Sequence, residues 1–184
     1  MKLIAFTGLA QSGKSTAAEY LISKYGFTRV NFKSAMIEEI KSTMPDFLKK
    51  EAEIHNCTID ELFSTKPGSF RQFMQNYGTE LRRGEDNDYW VNKWEWLIEY
   101  TEADNIVVDD LRFINESKAI SDNKGIVIRI VKKGQENTML HQSEIEMSNI
   151  TPDETIEVEP GDLEGLYKKL DKYVYNPAGH SEWY

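Results

Sequence analysis

The chain has 184 residues, 40% of them hydrophobic and 29% charged, and a formal net charge of −9. That length suits one domain with a sizeable core, and the acidity argues against broad binding to nucleic acid, where affinity comes from neutralising phosphates. No apolar run reaches the roughly 18 residues of a membrane helix, and the first residues read as a core strand rather than a signal peptide. The single Cys57 fits a reducing cytoplasm, and His55 beside it makes no zinc set, since four ligands at zinc spacing are missing from the sequence.

Residues 3–7 are short, apolar and β-prone, the pattern of a buried parallel strand. Residues 8–15, GLAQSGKS, fit the spacing G-x-x-x-x-G-K-[ST] of a phosphate-binding loop. Ala17, Ala18, Leu21, Ile22 and Tyr25 then recur at helical spacing, with Gly26 placed to end the helix. Strand, glycine loop and helix give the motif its mechanism. Gly8 and Gly13 let backbone N–H groups turn toward an anion, and the helix N-terminus adds partial positive charge. Lys14 can reach the β- and γ-phosphates of a nucleoside triphosphate, and Ser15 can place its hydroxyl on Mg²⁺. The candidate triphosphate-binding residues are Gly8, Ala10, Gln11, Ser12, Gly13, Lys14, Ser15 and Thr16.

Further along, residues 27–32 read as a second short strand, and Ser34 as the cap of a helix running to Met44. Residues 45–67 are polar and mixed, with one short helix expected near 58–63. Residues 69–83 read as one α-helix with an apolar stripe of Phe70, Phe73, Met74, Tyr77 and Leu81. A second, narrow stripe holds Arg71, Gln75, Gly78 and Arg82, with Thr79 at its edge. Glycine in mid-helix costs about 1 kcal/mol relative to alanine, so Gly78 marks either close approach of a ligand or tight packing. Asp88 precedes another helix with Trp90, Val91, Trp94, Leu97 and Ile98 as its apolar face; Trp90, in the first turn, is either core or a surface for a base or sugar.

Residues 105–109 form a buried strand ending at Asp109, with Asp110 after it. In a parallel α/β sheet, ligands bind beyond the carboxyl ends of the strands, so Asp110, Arg112 and Glu116 are either site residues or a structural ion-pair set. Residues 125–131 read as a strand, about 132–154 as a lid segment and 155–158 as a last strand. A final helix starts near Gly161 with Leu163, Leu166, Tyr167 and Leu170 buried, before an irregular tail at 176–184. Alternating strands and helices predict an α/β domain over 1–184, with core 1–33 and 105–175 and a helical insert 34–104.

Four pieces together carry a family likeness. They are the loop at 8–15, Arg71-Gln72-x-x-Gln75-x-x-Gly78-Thr79-Glu80, Tyr89-Trp90-Val91, and Asp110-x-Arg112-x-x-x-Glu116. With them the chain resembles the phage-type deoxynucleoside monophosphate kinases of the P-loop nucleoside monophosphate kinase superfamily. The resemblance implies a three-layer P-loop kinase fold, with a mostly parallel sheet of about five strands between helices, a helical acceptor-binding insert and a lid. It implies transfer of the γ-phosphate of ATP, with Mg²⁺ on Ser15, to a deoxynucleoside monophosphate. Arg71, Gln72, Gln75, Gly78, Thr79, Trp90, Asp110, Arg112 and Glu116 would line the acceptor pocket, and Lys14, Asp110 and Arg112 would serve the transfer. Partners would be the two nucleotides, in the cytoplasm, without nucleic acid or membrane; a homodimer is left open.

The chain departs from the pattern at several points. Ser15 and Thr16 stand where relatives often carry Asp-Thr, and Lys132 where an arginine is usual. Glu159, Pro160 and Gly161 stand for Asn-Asp-Gly, and Ala35 and Ile37 for a proline and a lysine. A P-loop kinase of another phosphorylated acceptor would share the loop and the fold. A GTPase would carry N-K-x-D, but Asn92 and Lys93 are followed by Trp94 and Glu95.

Overall fold

The computed structural model describes residues 1–135 and 142–175, and the side chains of 142–145 and 175 are left aside. The chain divides into two compact units, one of residues 1–31 and 101–184, the other of residues 32–100.

The first unit is built on five parallel strands in the order β2-β3-β1-β4-β5. They are β1 (Lys2–Thr7), β2 (Thr28–Arg29), β3 (Asn105–Val108), β4 (Ile126–Lys132) and β5 (Glu154–Val158). β1 lies at the centre, in register with β3 from Lys2 opposite Asn105 and with β4 from Ile4 opposite Ile126. The near-continuous apolar runs follow from burial on both faces. Ile4, Phe6, Val107, Ile128, Ile130, Ile156 and Val158 pack with Ala17, Ala18 and Leu21 of α1 (Lys14–Tyr25) and Leu166 and Leu170 of α9 (Leu163–Tyr175). The alternate positions Leu3, Ala5, Ile106, Val108 and Val127 are buried as well. On that side Leu3 and Ile120 of α7 (Ile114–Asp122) close on Gly125, where a Cβ would meet both within 2.7 Å. α8 (Gln142–Asn149) follows β4.

The second unit is helical. It comprises α2 (Phe32–Thr43), α3 (Pro45–Ile54), α4 (Ile59–Thr65), α5 (Gly68–Gln75), a π-helical segment (Asn76–Arg83) and α6 (Tyr89–Glu99). Its core gathers Ala35, Ile40, Leu48, Leu62, Phe63, Phe70, Met74, Tyr77 and Trp90, with Phe47 against Phe73 at 4.5 Å and Phe63 edge-on to Phe70 at 5.2 Å.

Several expectations are corrected. The second strand is only two residues long, and Phe32 already begins α2, so Ser34 lies inside that helix instead of capping it. Residues 45–67 hold two helices. α3 opens on Pro45, whose fixed φ suits the first turn, and Thr58 with Glu61 forms a capping box at α4. The single α-helix expected over 69–83 becomes π-helical after Gln75, which turns Leu81 outward to 46% exposure. Leu163 is likewise half exposed, while Leu166 and Leu170 of the same helix are buried as expected. Of the lid segment, residues 136–141 lie outside the described residues, as does the 176–184 tail.

Candidate functional site

All five strands are parallel, so their carboxyl ends share one edge of the sheet. The chain leaves β1 for strands on one side and later crosses β1 to β4 on the other. The loop after β1 therefore stands at a topological switch point, where α/β sheets bind ligands. That loop is GLAQSGKS. Gly8, Gln11 and Gly13 adopt positive φ of 137°, 62° and 110°. A Cβ on Gly8 would come within 2.4 Å of the Ile130 carbonyl oxygen, so the passage of β4 as well as the backbone turn demands glycine there.

Lys14 opens α1, and its Nζ donates to the Gly8 and Leu9 carbonyl oxygens at 2.7 Å each. The ammonium is thereby fixed across the start of the loop. Ser15 is exposed in the first turn of α1. Two buried hydroxyls that border the loop, Thr7 Oγ1 and Ser12 Oγ, have no hydrogen-bond partner. A helix N-terminus, a held lysine and unsatisfied loop hydroxyls suit a ligand with several anionic oxygens.

One contact to this loop escaped the sequence. Gln135, after β4, donates from Nε2 to the Ala10 carbonyl oxygen at 2.6 Å. A lone polar residue beyond a strand carries no signal of such a partner. Nearby, Lys133 pairs with Glu159 after β5 at 2.5 Å, which raises its pKa. Lys132 is half-buried.

The end of β3 lies beside β1. Asp109 is buried and exchanges two hydrogen bonds with Asn31. The Asn31 amide donates to Asp109 Oδ1 at 2.6 Å, and the Asp109 backbone N–H donates to Asn31 Oδ1 at 2.9 Å. Arg29 lies 3.5 Å from the second carboxylate oxygen and 3.0 Å from Glu19. Asp109 is thus occupied within the fold, whereas the next residue, Asp110, is half-buried and Arg112 is exposed. Glu116 was expected to line the acceptor pocket. Instead it is 3% exposed, and its Oε2 accepts the backbone N–H groups of Arg112 at 2.9 Å and Phe113 at 3.2 Å. Glu116 thus caps the backbone at Arg112 and Phe113, which fixes the loop that carries Arg112.

In the helical unit, Arg71, Gln72 and Gln75 are exposed on α5. Gly78 and Thr79 are half-buried in the π-helical segment. A Cβ on Gly78 would approach Met36 Sδ of α2 at 3.0 Å, so this glycine packs closely against α2. Trp90 is 3% exposed, and its indole N–H donates to the Gly78 carbonyl oxygen at 2.8 Å. The structure places it in the core beneath Gly78, not as a surface for base or sugar. Arg82 leaves the polar stripe: its Nε donates to Glu39 Oε1 at 3.0 Å.

A phosphate-binding loop at the switch point of a five-stranded parallel sheet, with helices on both faces and a helical insert, defines a P-loop α/β phosphotransferase fold. The family model of deoxynucleotide monophosphate kinases matches residues 35–170, a span that begins after the loop and so adds to it. A protein of Acanthamoeba polyphaga mimivirus, described as a "Putative deoxynucleotide monophosphate kinase", is 27% identical over 97% of this chain and 98% of its own length. Among solved structures, TT1252 from Thermus thermophilus shares the fold at a TM-score of 0.54, with 16% identity over 97% of this chain and 98% of that one. A dephospho-CoA kinase from Campylobacter jejuni aligns at a TM-score of 0.49, with 14% identity over 95% and 96% of the two chains. The chain belongs to the deoxynucleotide monophosphate kinase family, and it is a nucleotide kinase.

Proposed function

We propose that the protein transfers the γ-phosphate of ATP to a deoxynucleoside monophosphate and releases the deoxynucleoside diphosphate. The observation that carries this reading is the arrangement at one sheet edge: Lys14 after β1, with Asp110 and Arg112 after the adjoining β3. The acceptor phosphate is already a nucleophile, so transfer needs no dedicated base. It needs alignment of donor and acceptor and neutralisation of charge on the moving phosphoryl group.

Lys14, tied to the loop carbonyls, meets the donor phosphates without having to reorganise. The loop N–H groups and the start of α1 hold the remaining oxygens. Arg112, presented by the Glu116-capped loop, is assigned to the transferring phosphate. Arg71, Gln72, Gln75 and Thr79 are assigned to the acceptor nucleotide, with Gly78 and Trp90 supporting the surface that carries Thr79. The residues assigned to Mg²⁺ carry hard oxygens, the exposed Ser15 hydroxyl and the half-buried Asp110 carboxylate. This set fits a cation that keeps waters and shares the phosphates instead of occupying an all-protein cage. Bound there, Mg²⁺ would neutralise charge on the donor oxygens.

A coupled assay with ATP across all deoxynucleoside and ribonucleoside monophosphates tests the reading. The expected result is that kcat/KM for matched deoxy acceptors exceeds that for their ribo counterparts by about tenfold or more, the scale of one unpaired hydroxyl. Equal use of ribonucleotides rejects the deoxy preference. Turnover only with another phosphorylated metabolite rejects the acceptor class.

A further inference from the structure

Glu39 of α2 is a buried carboxylate, its side chain 5% exposed, that no step above uses. Its Oε1 accepts from the Tyr77 hydroxyl at 2.5 Å and Arg82 Nε at 3.0 Å. Its Oε2 accepts from the Tyr89 hydroxyl at 2.6 Å and Lys93 Nζ at 2.8 Å. A carboxylate offers about four lone-pair sites, so these donors saturate it. It has no capacity left for a ligand, and its role must be to hold the elements that reach it: α2, the π-helical segment and α6.

The spacing of its partners shows what it holds. Tyr77 and Arg82 are five residues apart, and Arg82 Nη2 also donates to the Tyr77 hydroxyl at 3.1 Å. In an α-helix, positions five apart lie about 140° around the axis, at about 100° per residue. The i→i+5 hydrogen bonding of a π-helix brings such positions together. Convergence of Tyr77 and Arg82 on one carboxylate therefore favours the π register over continuation of α5. Between them lie Gly78, whose carbonyl oxygen accepts from Trp90, and Thr79. A buried charge cluster is rarely better than apolar packing for stability alone; its best-attested use is to specify one geometry.

We propose that Glu39 is a positioning residue that locks residues 76–83 in the π-helical register, and so sets where Gly78 and Thr79 stand relative to Arg71 and Gln75 for the acceptor nucleotide. This rests on the acceptor assignment of the preceding section. Glu39→Gln keeps the shape but turns an amide N–H₂ toward two donors. It is expected to speed amide hydrogen exchange across 76–83. It is also expected to raise KM for the deoxynucleoside monophosphate at least tenfold while KM for ATP stays within twofold. Tyr89→Phe removes one donor and no charge, and is expected to move both readouts in the same direction by a smaller factor; it carries the test if Glu39→Gln does not fold. A folded variant with unchanged exchange at 76–83, or with equal rises in both KM values, overturns the proposal. If the wild-type protein accepts no deoxynucleoside monophosphate, the functional reading fails, while exchange at 76–83 still decides whether Glu39 sets the register.

Discussion

At the scale of single residues, the donor side of the proposed reaction is assigned to Lys14. Its two bonds to the Gly8 and Leu9 carbonyl oxygens hold the ammonium at the loop instead of leaving it to sample solvent. A preorganised donor of this kind acts on charge that develops during transfer, and loss of one commonly costs about 10²–10³-fold in rate. Lys14→Ala is therefore expected to lower kcat by at least 10²-fold while the circular dichroism spectrum and unfolding cooperativity persist. A folded Lys14→Ala protein with near wild-type turnover removes Lys14 from the mechanism. Asp109 and Asp110 show how little adjacency in sequence says about role. One is consumed by Asn31 and Arg29, and the other stands beyond the strand, half-buried.

At the scale of elements, the Glu39 cluster joins α2, the π-helical segment and α6, and it gives this join a pH dependence. Burial pushes the carboxyl up, but hydrogen bonds from Lys93, Tyr77 and Tyr89 outweigh it and hold the pKa down to about 2, from an ordinary 4.5. A group lowered on folding contributes stability that is complete above its unfolded value and is lost as pH falls toward the folded one. The contribution is thus present above about pH 4.5 and disappears toward pH 2, on the order of 3 kcal/mol in all. Urea unfolding at pH 7 and at pH 3 checks this. Wild type is expected to lose more stability between the two than Glu39→Gln, whose amide does not titrate. Glu61 and Asp171 are lowered too, but they are common to both proteins and cancel in the comparison. Identical pH profiles for the two proteins would deny Glu39 this role.

At the scale of the whole molecule, the proposed donor and acceptor residues fall in different units. The triphosphate loop belongs to the first unit, and the exposed Arg71 of α5 to the second. Arg71→Ala is expected to raise KM for the monophosphate roughly tenfold or more, about 1.4 kcal/mol, with KM for ATP within about twofold. An equal rise for both substrates would mean that α5 serves the fold alone. Among the described residues no helix is long and apolar enough to cross a membrane, and no three His, Cys, Asp or Glu side chains group as a metal site.

The sequence by itself determined the parts whose signal is local. A glycine loop between an apolar strand and an amphipathic helix is written in consecutive residues, because φ, burial and helix start are each set there. The parallel strands were legible for the same reason, as apolar runs between helical patterns. Tertiary structure alone decided which side chains meet. The helix over 69–83 looked α-helical because Phe70, Phe73, Met74, Tyr77 and Leu81 fall at α spacing. Glu39, 38 positions before Tyr77, offers an acceptor on which Tyr77 and Arg82 converge within the π-helical segment. Trp90 and Glu116 belonged to family motifs and were expected at the ligand. Whether a tryptophan's N–H finds a base or a buried carbonyl depends on neighbours distant in the chain. The same holds for a glutamate that finds a ribose or a helix's first N–H groups. Local patterns fix elements because their energies are local. The roles of polar side chains were fixed only by the partners that folding brought within hydrogen-bonding distance.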